Sequence, residues 1–567
     1  MQKLKIFVSK NKASLWFSAA LNAMILGCFL LLYIPCYEAS DDAMMQNIAS
    51  GFLGKPDAHL VYINYLIGLL LKALYGFSAS IPWYALLQYV VMFCSFTAIT
   101  YIFLNRKCTP ITISLLAVFL CFFGFEGYVL LQFTKVASIS ACAGTALLFW
   151  GSLSEKRRIG ALVAGGGLLT ISTMYRFEQA IVVCGIVCTI GLCFLLHKKK
   201  MDSKVFMQKL ILCVCAFAVP LTMIGGAYLF DQSAYASEEW RDYKVFNKAR
   251  SVILDNGVPD FETIEPALAE MGIDETAYEM LLAWTYEDFD KFTPETMVAM
   301  AELRNVKPIN VSTILDFIVK TVSGVFQTLT FYCFMILLAA WLLFGKQEKP
   351  QIISVLFCVF MLIVLFAYFH FVLSRVFVNR VDSGIWMAAS LTLLFFIDPS
   401  KEISSRHGSL VLTCLIAFSV LFSGPNAYYT HLSSDAKTVE KTGLQVFDAI
   451  AQDKEHLYFT TVLYNENLPL GTQHFCLPFS TTSSGFGENI YYLGGWTARM
   501  PITLQQLEPY YVTNPIKDMI NNEKVYFIGE DYELLLAYIQ TWYDKTAEFV
   551  YVKSIGTYNV YSVQTSS

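Results

Sequence analysis

Residues 15–45 of the chain read LWFSAALNAMILGCFLLLYIPCYEASDDAMM. The apolar run Leu15–Pro35 is long enough to cross a bilayer as a helix. Two adjacent carboxylates, Asp41 and Asp42, follow within a few residues. Acidic side chains so close to hydrocarbon are costly unless they meet water, a cation or a substrate. This stretch therefore predicts a membrane protein with chemistry at the membrane surface.

The composition of the whole chain is that of a membrane protein. Its 567 residues are 56% hydrophobic and 15% charged, and the mean hydropathy is +0.51. The net charge of −5 gives no reason to expect a nucleic-acid partner. Most cysteines lie inside apolar runs, where they behave as small hydrophobes. Only Cys36 and Cys476 could meet in water and form a disulfide.

Basic clusters predict the membrane topology, because cytoplasmic loops carry an excess of Lys and Arg. Eleven spans place these clusters in the cytoplasm, with the N-terminus inside the cell and the C-terminus outside. The predicted spans lie near residues 15–35, 81–104, 111–125, 137–153, 159–175, 179–196, 208–229, 325–345, 350–369, 383–398 and 408–424. The segment His59–Phe77 is expected to lie at the interface or to re-enter the membrane rather than cross it.

The predicted fold is an α-helical polytopic membrane protein with a helical extracytoplasmic insertion and a C-terminal extracytoplasmic α/β domain. Its predicted parts are an N-terminal transmembrane module 1–230 with a first outer loop 36–80, an insertion 231–312, a C-terminal transmembrane module 313–424 and the C-terminal domain 425–567. Within the insertion, helices are predicted over Glu262–Met271 and Thr276–Trp284, and a further one starting at Thr293-Pro294.

Alternating patterns predict the elements of the C-terminal domain. The expected elements are a helix over Thr438–Ala451, a strand over His456–Leu463, a strand over Glu523–Ile528, a helix over Tyr532–Trp542 and a hairpin over Phe549–Val563 that turns at Gly556. Aromatic residues in this domain either stack on sugar rings or form its core, and the core is the usual place for them. These aromatic residues are Phe475, Phe479, Tyr491, Tyr492 and Trp496.

This topology gathers most ionisable residues near membrane depth on the outer side, together with Asp41 and Asp42. The candidates for substrate or phosphate binding are Arg176, Glu178, Lys135, Arg375 and Arg380. Each also has a structural explanation. Arg176 and Glu178 could pair with each other, Arg375 and Arg380 could snorkel at helix ends, and Lys135 could be structural.

The acidic pair could likewise be first-turn charges of a helix Asp42–Ser50 that Ser40 caps and Gly51 ends. A carboxylate at this boundary can otherwise act as general base or hold a divalent cation. Asp41, Asp42 and His59 are the candidate ligands for Mg²⁺ or Mn²⁺. Arginines in the same plane can clamp a phosphate. Together these groups suit a donor whose lipid tail stays in the bilayer, and sugar transfer from a polyprenyl phosphate meets these needs.

The arrangement resembles the GT-C superfamily of membrane glycosyltransferases. The resemblance lies in the acidic pair of the first outer loop, in the segment HLVYINYLIGLLLKALYG at 59–76 and in the IPWY that starts at Ile81. It implies inverting transfer on the outer membrane face, with Asp41 or Asp42 as base or metal ligand. A lipid-linked sugar donor, membrane lipid and a cell-envelope glycan or protein acceptor are the implied partners. The chain lacks a Trp-Trp-Asp signature of the oligosaccharyltransferase kind, and the insertion is unusual for common bacterial members.

A bacterial inner-membrane glycosyltransferase is therefore the leading hypothesis. A lipid-linked glycan flippase or transporter is the alternative, but alternating access favours a site at the midplane and repeat symmetry. A third possibility is a non-catalytic envelope-assembly protein on the same scaffold.

Overall fold

The computed structural model describes residues 15–106, 110–155, 158–257, 259–303, 309–345, 347–373, 378–397, 429, 445–461, 477–481, 484–530 and 532–566. Its first half is built of helices and one short parallel pair of strands, β1 (Cys36–Tyr37) and β2 (Leu130–Leu131). The helices of this half are α1 (Leu15–Leu32), α2 (Ser40–Ser50), α3 (Tyr65–Phe77), α4 (Trp83–Leu104), α5 (Pro110–Tyr128), α6 (Phe133–Leu153), α7 (Ile159–Tyr175), α8 (Phe177–Val187), α9 (Thr189–Leu196) and α10 (Ser203–Ala234).

The second half begins with the insertion and returns to apolar helices. The insertion contains α11 (Glu238–Asn256), α12 (Phe261–Glu270), α13 (Glu275–Leu282) and α14 (Pro294–Glu302). The apolar helices that follow are α15 (Val311–Gln327), α16 (Leu329–Phe344), α17 (Lys349–Phe371) and α18 (Asn379–Phe396).

Seven segments within the described residues are long and apolar enough to cross a membrane, and an eighth is formed if the bent pair α15 and α16 is one span. The seven are α1, α4, residues 111–128 of α5, α6, α8 with α9, α10 and α17. Each coincides with a predicted span. The chain is thus a multi-pass membrane protein. Helices α7 and α18 occupy two further predicted positions, whereas the span predicted at 408–424 lies outside the described residues.

The first outer loop contains a short apolar helix rather than a span. Helix α3 has 13 residues, which is about 20 Å at 1.5 Å per residue and too short for a bilayer core of about 30 Å. Asn64 caps it by accepting a hydrogen bond from the Leu66 amide. The Asn64 amide in turn donates to the carbonyl of Met174 at the end of α7, 2.8 Å away. The loop is therefore tied to the transmembrane helices beside it.

The C-terminal domain contains a five-stranded mixed sheet in the order β4-β3-β5-β7-β6. Its elements are β3 (Leu457–Thr460), β4 (Ile490–Tyr492), α19 (Pro501–Leu504), α20 (Pro515–Asp518), β5 (Val525–Ile528), α21 (Glu533–Trp542), β6 (Glu548–Ile555) and β7 (Tyr558–Gln564). Strand β3 runs parallel to β4 and β5, and the hairpin of β6 and β7 turns at Gly556, whose φ is +62°. The elements agree with the predicted pattern, although the first half of the helix predicted at 438–451 lies outside the described residues, which are helical at 445–452.

The insertion and the C-terminal domain share one hydrophobic core. The Tyr286 amide donates to the Leu493 carbonyl, 3.1 Å away, and the Tyr286 hydroxyl donates to the Gly495 carbonyl, 2.7 Å away. Glu287 is fully buried and accepts a hydrogen bond of 2.5 Å from the Tyr491 hydroxyl. The two parts therefore pack as one unit, on the side of the transmembrane helices where the acidic pair lies.

Candidate active site around Asp41

Helix α2 carries both members of the acidic pair in its first turn. It begins at Ser40 and ends at Gly51, whose φ of +83° suits glycine at the end of a helix. The predicted end is confirmed, but the predicted cap is wrong. Ser40 is the first helical residue, and no side chain caps the helix at Ala39. All residues of the helix from Asp42 onward are buried, so α2 is a rigid internal support.

Asp42 is a structural residue of this support. Its Oδ1 accepts hydrogen bonds from the Tyr84 hydroxyl at 2.9 Å, the Gln88 amide at 2.7 Å and the backbone amide of Phe133 at 3.1 Å. Burial raises its pKa to about 8, although the bonds from Gln88 and Tyr84 oppose the rise. Asp42 thus joins α2 to α4 and α6 and is fully shielded from solvent. This environment argues against the predicted catalytic and metal-binding roles of Asp42.

Asp41 has a different environment, because its side chain is only half-buried. Burial is the largest influence on its pKa and raises it. The positive charges of Arg380, Arg176 and Arg250 act in the opposite direction, in that order of strength, and the negative charge of Asp255 adds to the rise. Three guanidinium groups from distant parts of the sequence therefore act on the carboxylate of one half-buried residue. Two of these arginines, Arg176 and Arg380, were predicted from the sequence.

Arg176 lies at the junction of α7 and α8 and is half-buried. Its Nε is 3.2 Å from the carboxylate of Glu178, so the predicted alternative of a local ion pair is present. Its guanidinium also lies 5.6 Å from the ring centre of Tyr62 and 5.8 Å from that of Phe133. Burial and the Asp41 charge raise the pKa of Tyr62, so that ring also belongs to the site. Glu178 is mostly exposed and pairs with Arg176, and its role in substrate binding stays a prediction.

Arg250 is a site residue that the sequence reasoning missed. It lies on α11 of the insertion and is 3% exposed. Its Nε donates to Asn247 Oδ1 at 2.9 Å, and its guanidinium lies 5.2 Å from the ring centre of Trp284. A signal was available in the sequence, because Arg250 falls in register with the apolar face of an amphipathic helix, where an arginine needs a partner. The other buried residues of that face are Trp240, Tyr243, Phe246, Ala249 and Ile253.

Lys135 is in a buried ion cluster and not on the accessible side of the site. Its Nζ contacts Glu38 and lies 2.5 Å from Glu126 Oε2, and the lysine is 1% exposed. Asn379 donates to the same Glu126 oxygen at 3.1 Å. Phosphate binding by Lys135 is therefore unsupported by the structure, which favours the structural alternative. The cluster fixes the first residue of α18, directly before Arg380.

His59 links the first outer loop to the insertion. Its Nδ1 lies 2.7 Å from Asp57 Oδ1, and its ring stacks on Trp240 with a centroid distance of 4.5 Å. The described part of the chain contains no group of three or more His, Cys, Asp or Glu that could hold a metal ion. The structure thus gives no support to a site formed by Asp41, Asp42 and His59, and a divalent cation stays a prediction.

The C-terminal domain clamps the loop after α2. The amides of Gly485 and Gly487 donate to the carbonyls of Gly51 and Phe52, both at 2.8 Å. Gln46 on α2 donates to the Ser480 carbonyl at 2.9 Å. These bonds hold α2 between the membrane helices and the C-terminal domain, which fixes the position of Asp41.

The aromatic residues of this domain that the structure describes are mainly packing residues. Trp496 is buried against Tyr62, with ring centres 4.9 Å apart, and Phe479 stacks on Tyr89 at 5.7 Å. Tyr491 and Tyr492 are buried in the domain. Three residues named in the predictions lie outside the described residues: Arg375, Phe475 and Cys476.

No family model and no curated protein sequence matches the chain. Two solved structures are similar to the chain over most of its length. Both are crystal structures of ArnT from Cupriavidus metallidurans. The apo structure is 11% identical, with a TM-score of 0.36 and coverage of 95% of this chain and 97% of that one. The structure bound to undecaprenyl phosphate is 12% identical, with a TM-score of 0.37 and coverage of 96% and 97%. At such identities and TM-scores, the chemistry of this chain has to be read from its own residues.

Proposed function

We propose that this protein is a membrane glycosyltransferase that moves a sugar from a polyprenyl-phosphate donor to a cell-envelope acceptor on the outer face of the membrane. The observation that carries the proposal is the half-buried carboxylate of Asp41 under the influence of three guanidinium groups. Guanidinium groups bind phosphate oxygens in bidentate geometry, and a carboxylate can accept the proton of an attacking hydroxyl.

The arginines around Asp41 support an anionic ligand. Arg380, Arg176 and Arg250 act on Asp41, while Asp255 adds negative charge and Glu178 pairs with Arg176. A phosphodiester that links a sugar to a lipid carries one negative charge. Its oxygens would accept charge-assisted hydrogen bonds from these guanidinium groups.

In the proposed reaction, the acceptor hydroxyl oxygen attacks the anomeric carbon, and its proton passes to Asp41. The bond between the anomeric carbon and the phosphate oxygen breaks, and its electron pair leaves with the polyprenyl phosphate. The leaving group gains negative charge as the bond breaks, so arginines around it stabilise the transition state more than the ground state. Burial raises the pKa of Asp41, which makes its carboxylate a better proton acceptor.

The positions of the three arginines give them different roles in the proposed reaction. Arg176 and Arg380 lie at the starts of α8 and α18 and would hold the lipid-linked phosphate. Arg250 reaches the site from the insertion, so the insertion would complete the site from the side away from the lipid. In this proposal the guanidinium groups supply the positive charge that a divalent cation supplies in some metal-dependent transferases.

The test uses the full-length protein in lipid vesicles, a radiolabelled polyprenyl-phosphate sugar and envelope extract as acceptor. We expect Asp41→Asn to lower transfer by about 10²–10⁴-fold, the usual contribution of a general base. Asp42→Asn should keep most transfer per folded molecule, because it removes no group from the accessible side. Full transfer by Asp41→Asn would refute the proposal. Translocation of the labelled lipid without transfer, by the wild type, would favour the transport alternative.

A binding measurement tests the role of the arginines independently of the proposed base, Asp41. Arg250→Gln should weaken binding of a polyprenyl phosphate by about 10–100-fold, because a hydrogen bond between charged groups contributes about 1.5–3 kcal/mol. Arg241→Gln is the matched control, since Arg241 lies on the same helix but is exposed. Equal binding by both variants would remove Arg250 from the site.

A further inference from the structure

Helix α15 joins the insertion to the second group of membrane helices and makes a bend of 87° with α16. An Asn310 capping box fixes its start. None of its residues is buried against the rest of the described chain. A helix of 17 residues without a buried face needs another partner for its apolar side chains.

The sequence of α15 separates apolar and polar residues onto two faces. Val311, Leu315, Ile318 and Val322 follow the spacing of one helical face and are all exposed. A second set at the same spacing forms the polar face: Asp316, Lys320, Ser323 and Gln327. The Lys320 ammonium pairs with Asp316 at 3.0 Å on that face.

Contacts with α17 place α15 at the membrane boundary. Helix α17 has 23 residues, about 34 Å, and so spans a bilayer core of about 30 Å. His370, one residue before its end, lies 3.6 Å from Asp316. The middle of α15 is therefore level with the end of a complete span. This is the side of the molecule where α18 begins, and Arg380, its second residue, acts on Asp41.

The length of α16 determines how deep α15 lies in the membrane. Its 16 residues cover about 24 Å, which is roughly 6 Å less than the hydrocarbon core. Because of the 87° bend, α15 adds almost no length along the axis of α16. If α16 reaches the opposite boundary, α15 lies a few ångströms below the headgroups, which is the usual depth of about 5–10 Å for an in-plane amphipathic helix.

We infer that α15 is an in-plane helix whose apolar face binds the acyl chains of the lipid leaflet next to the Asp41 site. Its occupant is lipid because the membrane helices that α15 contacts, α16 and α17, also carry exposed apolar residues, such as Met335 and Val364. The polar face points to the ionic contacts at the end of α17. This role is independent of the proposed transfer reaction.

The test compares single cysteines on the two faces of α15 in the full-length protein. Ile318→Cys and Val322→Cys replace apolar residues that are 48% and 51% exposed. Ser323→Cys and Gln327→Cys are matched controls on the polar face. Each variant is labelled with an environment-sensitive fluorophore and reconstituted into phosphatidylcholine vesicles that contain lipids with a nitroxide near the headgroup or near the bilayer centre. Unsubstituted protein labelled in parallel gives the background from the native cysteines.

We expect the shallow nitroxide to quench the apolar-face labels several-fold more than the deep nitroxide does. Aqueous iodide should quench the polar-face labels more than the apolar-face labels. Strong quenching of both faces by the deep nitroxide would make α15 part of a broken span and overturn the inference. Protection of the apolar-face labels from iodide and from both nitroxides would also overturn it, because a protein partner would then cover that face.

Discussion

Removal of the Asp42 carboxylate is expected to destabilise the protein severely. In Asp42→Ala, the hydroxyl of Tyr84, the amide of Gln88 and the backbone amide of Phe133 lose their shared acceptor. Each buried donor without a partner costs about 1–3 kcal/mol, so the variant should lose at least about 3 kcal/mol. Asp42→Asn keeps one side-chain oxygen for these donors, and its cost should be about 1 kcal/mol.

Thermal unfolding of the full-length protein in detergent measures this difference. With about 2 °C of Tm per kcal/mol for a large chain, Asp42→Ala should unfold at least about 6 °C below the wild type. Burial raises the pKa of Asp42 to about 8 from its usual 3.8, so its contribution to stability is greatest at low pH and falls as the pH rises from about 4 to about 8. Asp42→Asn should lack that part of the pH dependence. A Tm of Asp42→Ala equal to that of the wild type would refute the structural role.

Three further variants test other buried contacts. Lys135→Met leaves the carboxylates around it uncompensated and should cost about 3–5 kcal/mol, seen as a lower Tm; an unchanged Tm would contradict the ion cluster. Gly487→Ala places a Cβ 2.0 Å from Cε1 of Phe52 and so disturbs the bond between residue 487 and Phe52 that holds the loop after α2. Hydrogen exchange in α2 should therefore rise. Unaltered exchange would show that α2 does not depend on this contact. Burial raises the pKa of Glu287 to about 7 from 4.5, so its contribution to stability falls as the pH rises through this range, and Glu287→Gln should remove that fall from a series of Tm measurements.

Hydrophobic length identified the membrane helices well, because the bilayer sets a minimum length that few other structures need. Hydropathy could not predict the angle of 87° between α15 and α16. It shows which residues form an apolar run, but not whether that run crosses the membrane or bends. The spacing of apolar residues in Val311–Gln327 did contain the signal of an amphipathic helix.

The candidate site was predicted in part. Asp41 and Asp42 are chemically identical neighbours, and only the three-dimensional partners of Asp42 tell them apart. The sequence likewise predicts Lys135 on the same side of the membrane as Asp41 and Asp42 without revealing that Glu38 and Glu126 surround it. Such choices depend on contacts between residues far apart in the chain, which spacing and composition cannot encode.

The clamp on the loop after α2 has a consequence for the order of folding. The Ser484 hydroxyl bonds to the carbonyl of Gly51 across 433 positions of sequence. During synthesis, the helix that carries Asp41 enters the membrane region early but gains this support only after nearly the whole chain has been translated. The nascent protein therefore completes the candidate site late, and a chain that ends before residue 484 has an α2 without this support.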